Sequence, residues 1–108
     1  MGQDDGPDRR QSPADAAARD LRRFAAAREA GDFHAALRAA SVACYAAPHL
    51  AQPHYAYGEA WAALNEPARA EQAFAAALQI APRWADAWVN YGLARYRQGA
   101  VGRKALTA

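Results

Sequence analysis

The stretch Ala51 to Trp84, AQPHYAYGEAWAALNEPARAEQAFAAALQIAPRW, decides the fold. It holds two apolar-rich blocks, neither alternating with period two, separated by Asn65-Glu66-Pro67. Alanine fills both blocks, and it enters a helix without losing side-chain entropy. Proline is tolerated in the first turn of a helix, where its missing N–H would have no partner, and breaks the helix further in. Pro53 therefore belongs to the start of one helix running to Leu64, and Pro67 starts a second that ends before Pro82. Because alanine buries little area, each helix needs close neighbours to be stable.

The same punctuation extends outward in both directions. Toward the N-terminus, Pro48 stops a helix that runs from Phe33 to about Ala47. Gly31-Asp32 separates it from an earlier one, since glycine takes the left-handed end conformation cheaply and Asp32 can cap the next helix from its side chain. Ser12-Pro13-Ala14-Asp15 supplies an N-cap serine, a proline at the first helical position and an acid at the third, so the first helix is expected from Pro13 to Ala30. Residues 1–11 combine Gly, Pro, Asp, Arg and Gln without apolar periodicity and read as a disordered tail. Toward the C-terminus a fifth helix is expected from Ala85 to Gln98, ended by Gly99. Residues 12–108 thus read as one all-α domain.

Pro48 and Pro82, Tyr57 and Tyr91, Gly58 and Gly92, and Ala43 and Ala77 are each 34 residues apart. Two series at that spacing run three deep: Gly31, Asn65 and Gly99 at the expected turns, and Ala26, Ala60 and Ala94 on the first helix of each unit. A helix–turn–helix unit of this period resembles the tetratricopeptide repeat. The unit 51–84 matches the family pattern through His54-x2-Tyr57-Gly58-x2-Trp61, Ala70-x3-Phe74 and Pro82. The unit beginning at residue 85 keeps Trp88-x2-Tyr91-Gly92 but has Arg95 where the family has an aromatic. The unit 17–50 keeps Ala36, Ala43 and Pro48, with Asp20, Arg23 and Phe24 where the family has tryptophan, leucine and glycine. The resemblance covers residues 17 to about 104 and implies a right-handed α-solenoid of antiparallel helix hairpins.

Within that resemblance Phe24, at a small-residue site, should force the first helix pair apart or shift it, and the first unit should act as an N-terminal cap. Unit 85–108 is truncated, because the residues after Gly99 are too few for a second helix. Trp84, Trp88 and Tyr91 are then expected partly uncovered on an open C-terminal face, through which the chain could self-associate or continue into a longer array.

The family holds peptides in a concave groove built from the first helix of each unit. By position, the groove residues of this chain would be Arg22 and Arg28 in the first unit, Tyr55 and Glu59 in the second, and Asn90, Leu93, Tyr96 and Arg97 in the third. Tyr55 and Tyr96 would offer aromatic contact, and Asn90 an amide for a peptide backbone. The lysine and asparagine clamp of chaperone-binding members is absent apart from Asn90, with Leu21, Ala25 and Ala56 at the other clamp positions. The asparagine ladder of glycosyltransferase-linked arrays is broken, reading Arg22, Ala56, Asn90.

Composition narrows the function classes further. Thirteen Lys+Arg against 11 Asp+Glu give a net charge of +2, with the signs interspersed. Such a surface lacks the basic stripe of a nucleic-acid module. No window approaches the ~20 apolar residues of a membrane span, and the N-terminus has no apolar leader core. The chain is therefore expected in the cytoplasm, neither inserted in a membrane nor exported. The single cysteine, Cys44, sits where the family keeps a buried leucine and reads as an inert core residue. His34, His49 and His54 form no ligand pattern at i, i+4, so no metal and no cofactor are expected. Glu59, Glu66, Glu71 and Asp86 come without a phosphate loop or nucleophile elbow, so no catalysis is expected. The expectation is a protein-interaction module that binds a peptide or partner protein in its groove. The alternative is the targeting arm of a larger bacterial transferase, glycosyl- or sulfotransferase-like, whose catalytic domain lies outside this chain.

Overall fold

Capping chemistry sets where the helices begin. The computed structural model describes residues 12–107, with side-chain surroundings through residue 100. The tail expected over 1–11 lies outside the described residues. Five helices succeed one another: α1 (Pro13–Glu29), α2 (Phe33–Ala46), α3 (Ala51–Ala63), α4 (Pro67–Ile80) and α5 (Ala85–Thr107). No strand occurs among the described residues. At α1, Ser12 Oγ accepts from the Asp15 N–H at 3.1 Å and the Asp15 carboxylate accepts from the Ser12 N–H at 3.4 Å, a reciprocal cap. Asp32 Oδ1 caps α2 by accepting from the Ala35 N–H at 3.1 Å. Helices α3 and α4 start without a side-chain cap, and prolines near their starts remove donors that would otherwise lack partners.

The turns after α1 and α3 are copies of one another. Gly31 (φ 78°) and Asn65 (φ 61°) both take the left-handed conformation. The Gly31 and Asn65 N–H groups donate to Arg28 O and Ala62 O, each at 3.0 Å. The next N–H groups, of Asp32 and Glu66, reach back to Ala27 O and Trp61 O, each at 2.9 Å. Both turns therefore satisfy the same orphan carbonyls by the same double hydrogen bond. Gly99 does not repeat them. The helix expected to end at Gln98 continues through Gly99 to Thr107. A glycine inside a helix costs only about 1 kcal/mol relative to alanine, and it terminates one when a new start signal comes next. Asp32 follows Gly31, and Glu66-Pro67 follows Asn65, whereas Ala100-Val101 follows Gly99 and offers neither a capping side chain nor a proline.

Each helix packs on the next along the chain, and α1 also reaches α3. Ala36, Ala40, Ala43, Ala47, Ala70, Ala77 and Ala87 are buried, while Phe74 and Pro53 are the largest fully buried side chains among the described residues. Small side chains let helix backbones approach closely, and the few large rings fill what remains. One contact carries much of this fit. A Cβ on Gly58 would lie 2.6 Å from Phe74 Cε1, so glycine is required where α3 crosses α4.

In the first hairpin the sizes are exchanged. Phe24 stands 34 residues before Gly58, and Ala40 stands 34 before Phe74. Phe24 is buried against Ala36 and Ala40 of α2 and Ala56 and Ala60 of α3. The expectation that Phe24 would push α1 away is corrected: α1 and α2 make the most extensive contact of any helix pair. A large-on-small pair conserves volume when its members change places, so the ring needs no extra space. Asp20, at the position of the family's tryptophan, is buried, with Arg23 Nη1 at 4.0 Å as its ionic neighbour. No described helix is long and apolar enough to cross a membrane.

Candidate functional site

Helices α1, α3 and α5 stand side by side, with α4 behind the last two. Between them lies a cavity of about 290 Å³. Arg28 of α1 lines it, with Glu59, Ala62 and Ala63 of α3. Asn65 of the turn and Pro67, Ala70 and Phe74 of α4 form another side, and Asn90, Leu93, Ala94 and Arg97 of α5 complete it. Ala70, Phe74 and Ala94 form one buried cluster, which gives the cavity an apolar floor. The charged and amide groups stand around its mouth.

Five expected groove residues meet in this cavity: Arg28, Glu59, Asn90, Leu93 and Arg97. Arg28 Nη1 donates to Glu59 Oε1 at 3.1 Å, joining α1 to α3. The Arg28 guanidinium also lies 5.1 Å from the centroid of the Phe24 ring, so its stem and head are held from two directions. Burial pushes the Glu59 carboxyl above the ordinary carboxylate range, and the opposing pull of Arg28 does not cancel it. Arg97 is exposed at the other end of the cavity.

Three expected residues are placed differently. Tyr55 does not line the cavity: its ring stacks on Trp84, centroids 4.4 Å apart, and tilts against Phe74 at 5.5 Å. Its hydroxyl accepts from Asn90 Nδ2 at 2.7 Å, a bond linking α3 to α5. Burial and then the Glu59 and Asp86 carboxylates raise the Tyr55 pKa, so the phenol stays neutral. The aromatic and amide partners expected for a ligand are thus engaged with each other. Arg22 and Tyr96 are exposed and outside the cavity lining. Tyr96 lies on the far side of α5, 66% exposed. The residues that sequence reasoning did not assign to the groove are Asn65, Pro67, Ala70 and Phe74, supplied by the turn and by the second helix behind the groove. Their only signal was the turn chemistry at Asn65-Glu66-Pro67.

The remaining reactive side chains serve packing. Cys44 is half-buried rather than fully enclosed, and burial pushes its thiol up to about 11. His54 Nε2 lies 2.8 Å from Pro48 O, which can only accept, so that nitrogen carries the proton and Nδ1 presents a lone pair. Cys44 Sγ lies 3.8 Å from that Nδ1, as a weak S–H donor. The geometry stabilises the thiol and not the thiolate, the opposite of what a nucleophile needs. Among the described residues no cluster of histidine, cysteine and carboxylates is grouped as a metal site. At the C-terminal side, Trp84 and Tyr91 are partly covered and Trp88 is 51% exposed. No family model matches the chain, and no curated protein matches it.

Proposed function

We propose that the chain is a tetratricopeptide-like repeat module, a right-handed stack of antiparallel helix hairpins, that binds an extended segment of a partner protein along α1, α3 and α5. The reading of the family is supported by two matching left-handed turns at Gly31 and Asn65, 34 residues apart, and by the Gly58–Phe74 fit at the motif positions. The reading of the activity is supported by one observation above all, the cavity of about 290 Å³ with an apolar floor of Ala70, Phe74 and Ala94. A concave apolar site with a few polar groups at its edge is how proteins hold an apolar side chain while orienting the chain that carries it. Arg28–Glu59 at one end and Arg97 at the other would meet the peptide backbone and its polar neighbours. The module holds a partner and performs no chemistry on it.

Selection from a random peptide library against the chain, with titration of the enriched peptides, tests this. Ala63 is exposed at the cavity mouth, so Ala63→Arg obstructs the groove without touching the core. Enriched peptides should bind the variant at least about tenfold more weakly, a loss of ~1.4 kcal/mol. Peptides that bind Ala63→Arg as tightly as the native chain, or a selection that enriches none, would remove the groove from the function.

A further inference from the structure

The surface least explained by the fold is the side of α5 turned away from α4. Ala87, Asn90, Tyr91, Ala94 and Gln98 are buried or half-buried and mark the packed side of α5, where Gln98 also donates to Glu71 of α4. At 100° per residue, the opposite side carries Ala85, Trp88, Val89, Gly92, Tyr96 and Gly99. Every one of them is uncharged and exposed. Arg95, at the border of this face, is drawn over the Tyr91 ring, 5.8 Å from its centroid. Trp88 is 51% exposed, Val89 67% and Tyr96 66%, so three large apolar side chains stand in water on one stripe of the helix. On α3 the equivalent of Gly92 is Gly58, which is pressed against the Phe74 ring, whereas a Cβ on Gly92 would meet nothing within 4 Å. The face that α4 covers on α3 is therefore open on α5 among the described residues.

An exposed apolar stripe of this kind marks an interface, and Trp and Tyr are the types that concentrate interface energy. Trp88 is also fixed in advance. Its indole N–H donates to Pro82 O at 2.8 Å and its ring meets Tyr91 edge-on at 5.8 Å, so little rotamer freedom remains to be lost on association.

Charge and size identify the occupant. Asp86 and Arg97 are 11 residues apart, which places them within about 20° of each other round the helix, on the same flank of this face. In a second α5 packed antiparallel about Gly92, positions about equally distant from Gly92 in opposite directions meet. Asp86 then reaches Arg97 of the other copy, and Arg97 reaches its Asp86. Trp88 meets Tyr96, and Ala85 meets Gly99, so large side chains interleave while small ones let the backbones close. Parallel pairing would instead set Asp86 against Asp86 and Arg97 against Arg97. The face is self-complementary under a two-fold axis, which a closed dimer requires.

We infer that two copies of this chain pair antiparallel through the outer faces of α5, closed by two Trp88–Tyr96 contacts and two Asp86–Arg97 ion pairs. This surface lies beyond the groove, so pairing does not require the groove to be a binding site.

Light scattering and sedimentation of the full chain should give twice the 11.6 kDa chain mass at micromolar concentration. Tyr96→Asp should return the mass to that of one chain with helical circular dichroism unchanged. Asp86→Arg and Arg97→Asp, both at exposed positions, should each lose the dimer, since each puts like charges opposite one another. Mixed together they should re-form it as a heterodimer, because the two reversed charges then face each other. A strict monomer at all concentrations would assign the face to a different protein and overturn the inference. So would an open-ended assembly, a dimer indifferent to Tyr96→Asp, or charge variants that do not combine.

Discussion

Gly58→Ala separates close α3–α4 packing from helix propensity alone. The added methyl would lie 2.6, 2.7 and 2.9 Å from three carbons of the Phe74 ring, all inside ordinary contact distance. Phe74 is 1% exposed and cannot swing toward solvent, so the strain must be taken by the α3–α4 spacing. Inserting a methyl into a closed core costs about 1–3 kcal/mol. Alanine in place of a helical glycine returns about 0.5–1 kcal/mol. With three ring atoms affected the cost falls in the upper part of its range, and the expected net loss is about 1–2 kcal/mol. Gly92→Ala makes the same chemical change at the equivalent position of α5, where the methyl meets open space, and should gain about 0.5–1 kcal/mol. Urea denaturation monitored by helical circular dichroism, at dilution that keeps the chain monomeric, should therefore move the two midpoints in opposite directions. Phe74→Leu added to Gly58→Ala should cost less than the two changes summed, since each relieves part of the other. If Gly58→Ala stabilises as much as Gly92→Ala does, the close Gly58–Phe74 fit is not what holds α3 on α4.

Three further outcomes are expected. Asn90→Ala should cost about 0.5–1.5 kcal/mol through loss of its bond to the Tyr55 hydroxyl, and in a double-mutant cycle with Tyr55→Phe the losses should overlap; full additivity would show that the bond contributes nothing. Because burial raises the Glu59 carboxyl, the folded chain keeps that proton above the ordinary carboxylate range while the unfolded chain has released it, so this group's stabilising contribution falls as pH rises through that window. Arg28→Ala should raise Glu59 further, and a downward shift in an NMR titration would contradict the assignment. Cys44 keeps its proton from the ordinary 9.0 to about 11, so its contribution to stability likewise declines across that interval and Cys44→Ser should abolish the decline. At pH 8 native Cys44 should alkylate roughly a hundredfold more slowly than the unfolded chain, the thiolate ratio that such a difference in pKa implies. Equal alkylation rates would place the thiol in water.

The candidate site was legible in proportion to how much of it depends on helix position. Arg28, Glu59, Asn90, Leu93 and Arg97 share the side of their helices that the 34-residue register assigns to the groove, and the cavity brings them together. Tyr55 occupies the same register but turns onto Trp84 and receives the Asn90 amide, because a ring beside a second ring gains more from stacking than from water. Periodicity sets the direction of a Cα–Cβ bond and leaves the rotamer to the neighbours. The floor of the cavity came from α4, whose residues contribute only once α3 and α4 are folded against each other.

Local chemistry decided the helices. Alanine, a capping serine and aspartate, prolines at two helix starts and a left-handed residue at two turns act within a few residues of chain, so their effects can be read from sequence order. The end of α5 shows the limit of that reading, since Gly99 matches Gly31 and Asn65 in register but has no new helix start after it. Tertiary structure alone decided that Phe24 against Ala40 replaces Gly58 against Phe74. That choice depends on the summed volume of two side chains distant in sequence, and close packing responds to the sum and not to which chain position supplies the larger part.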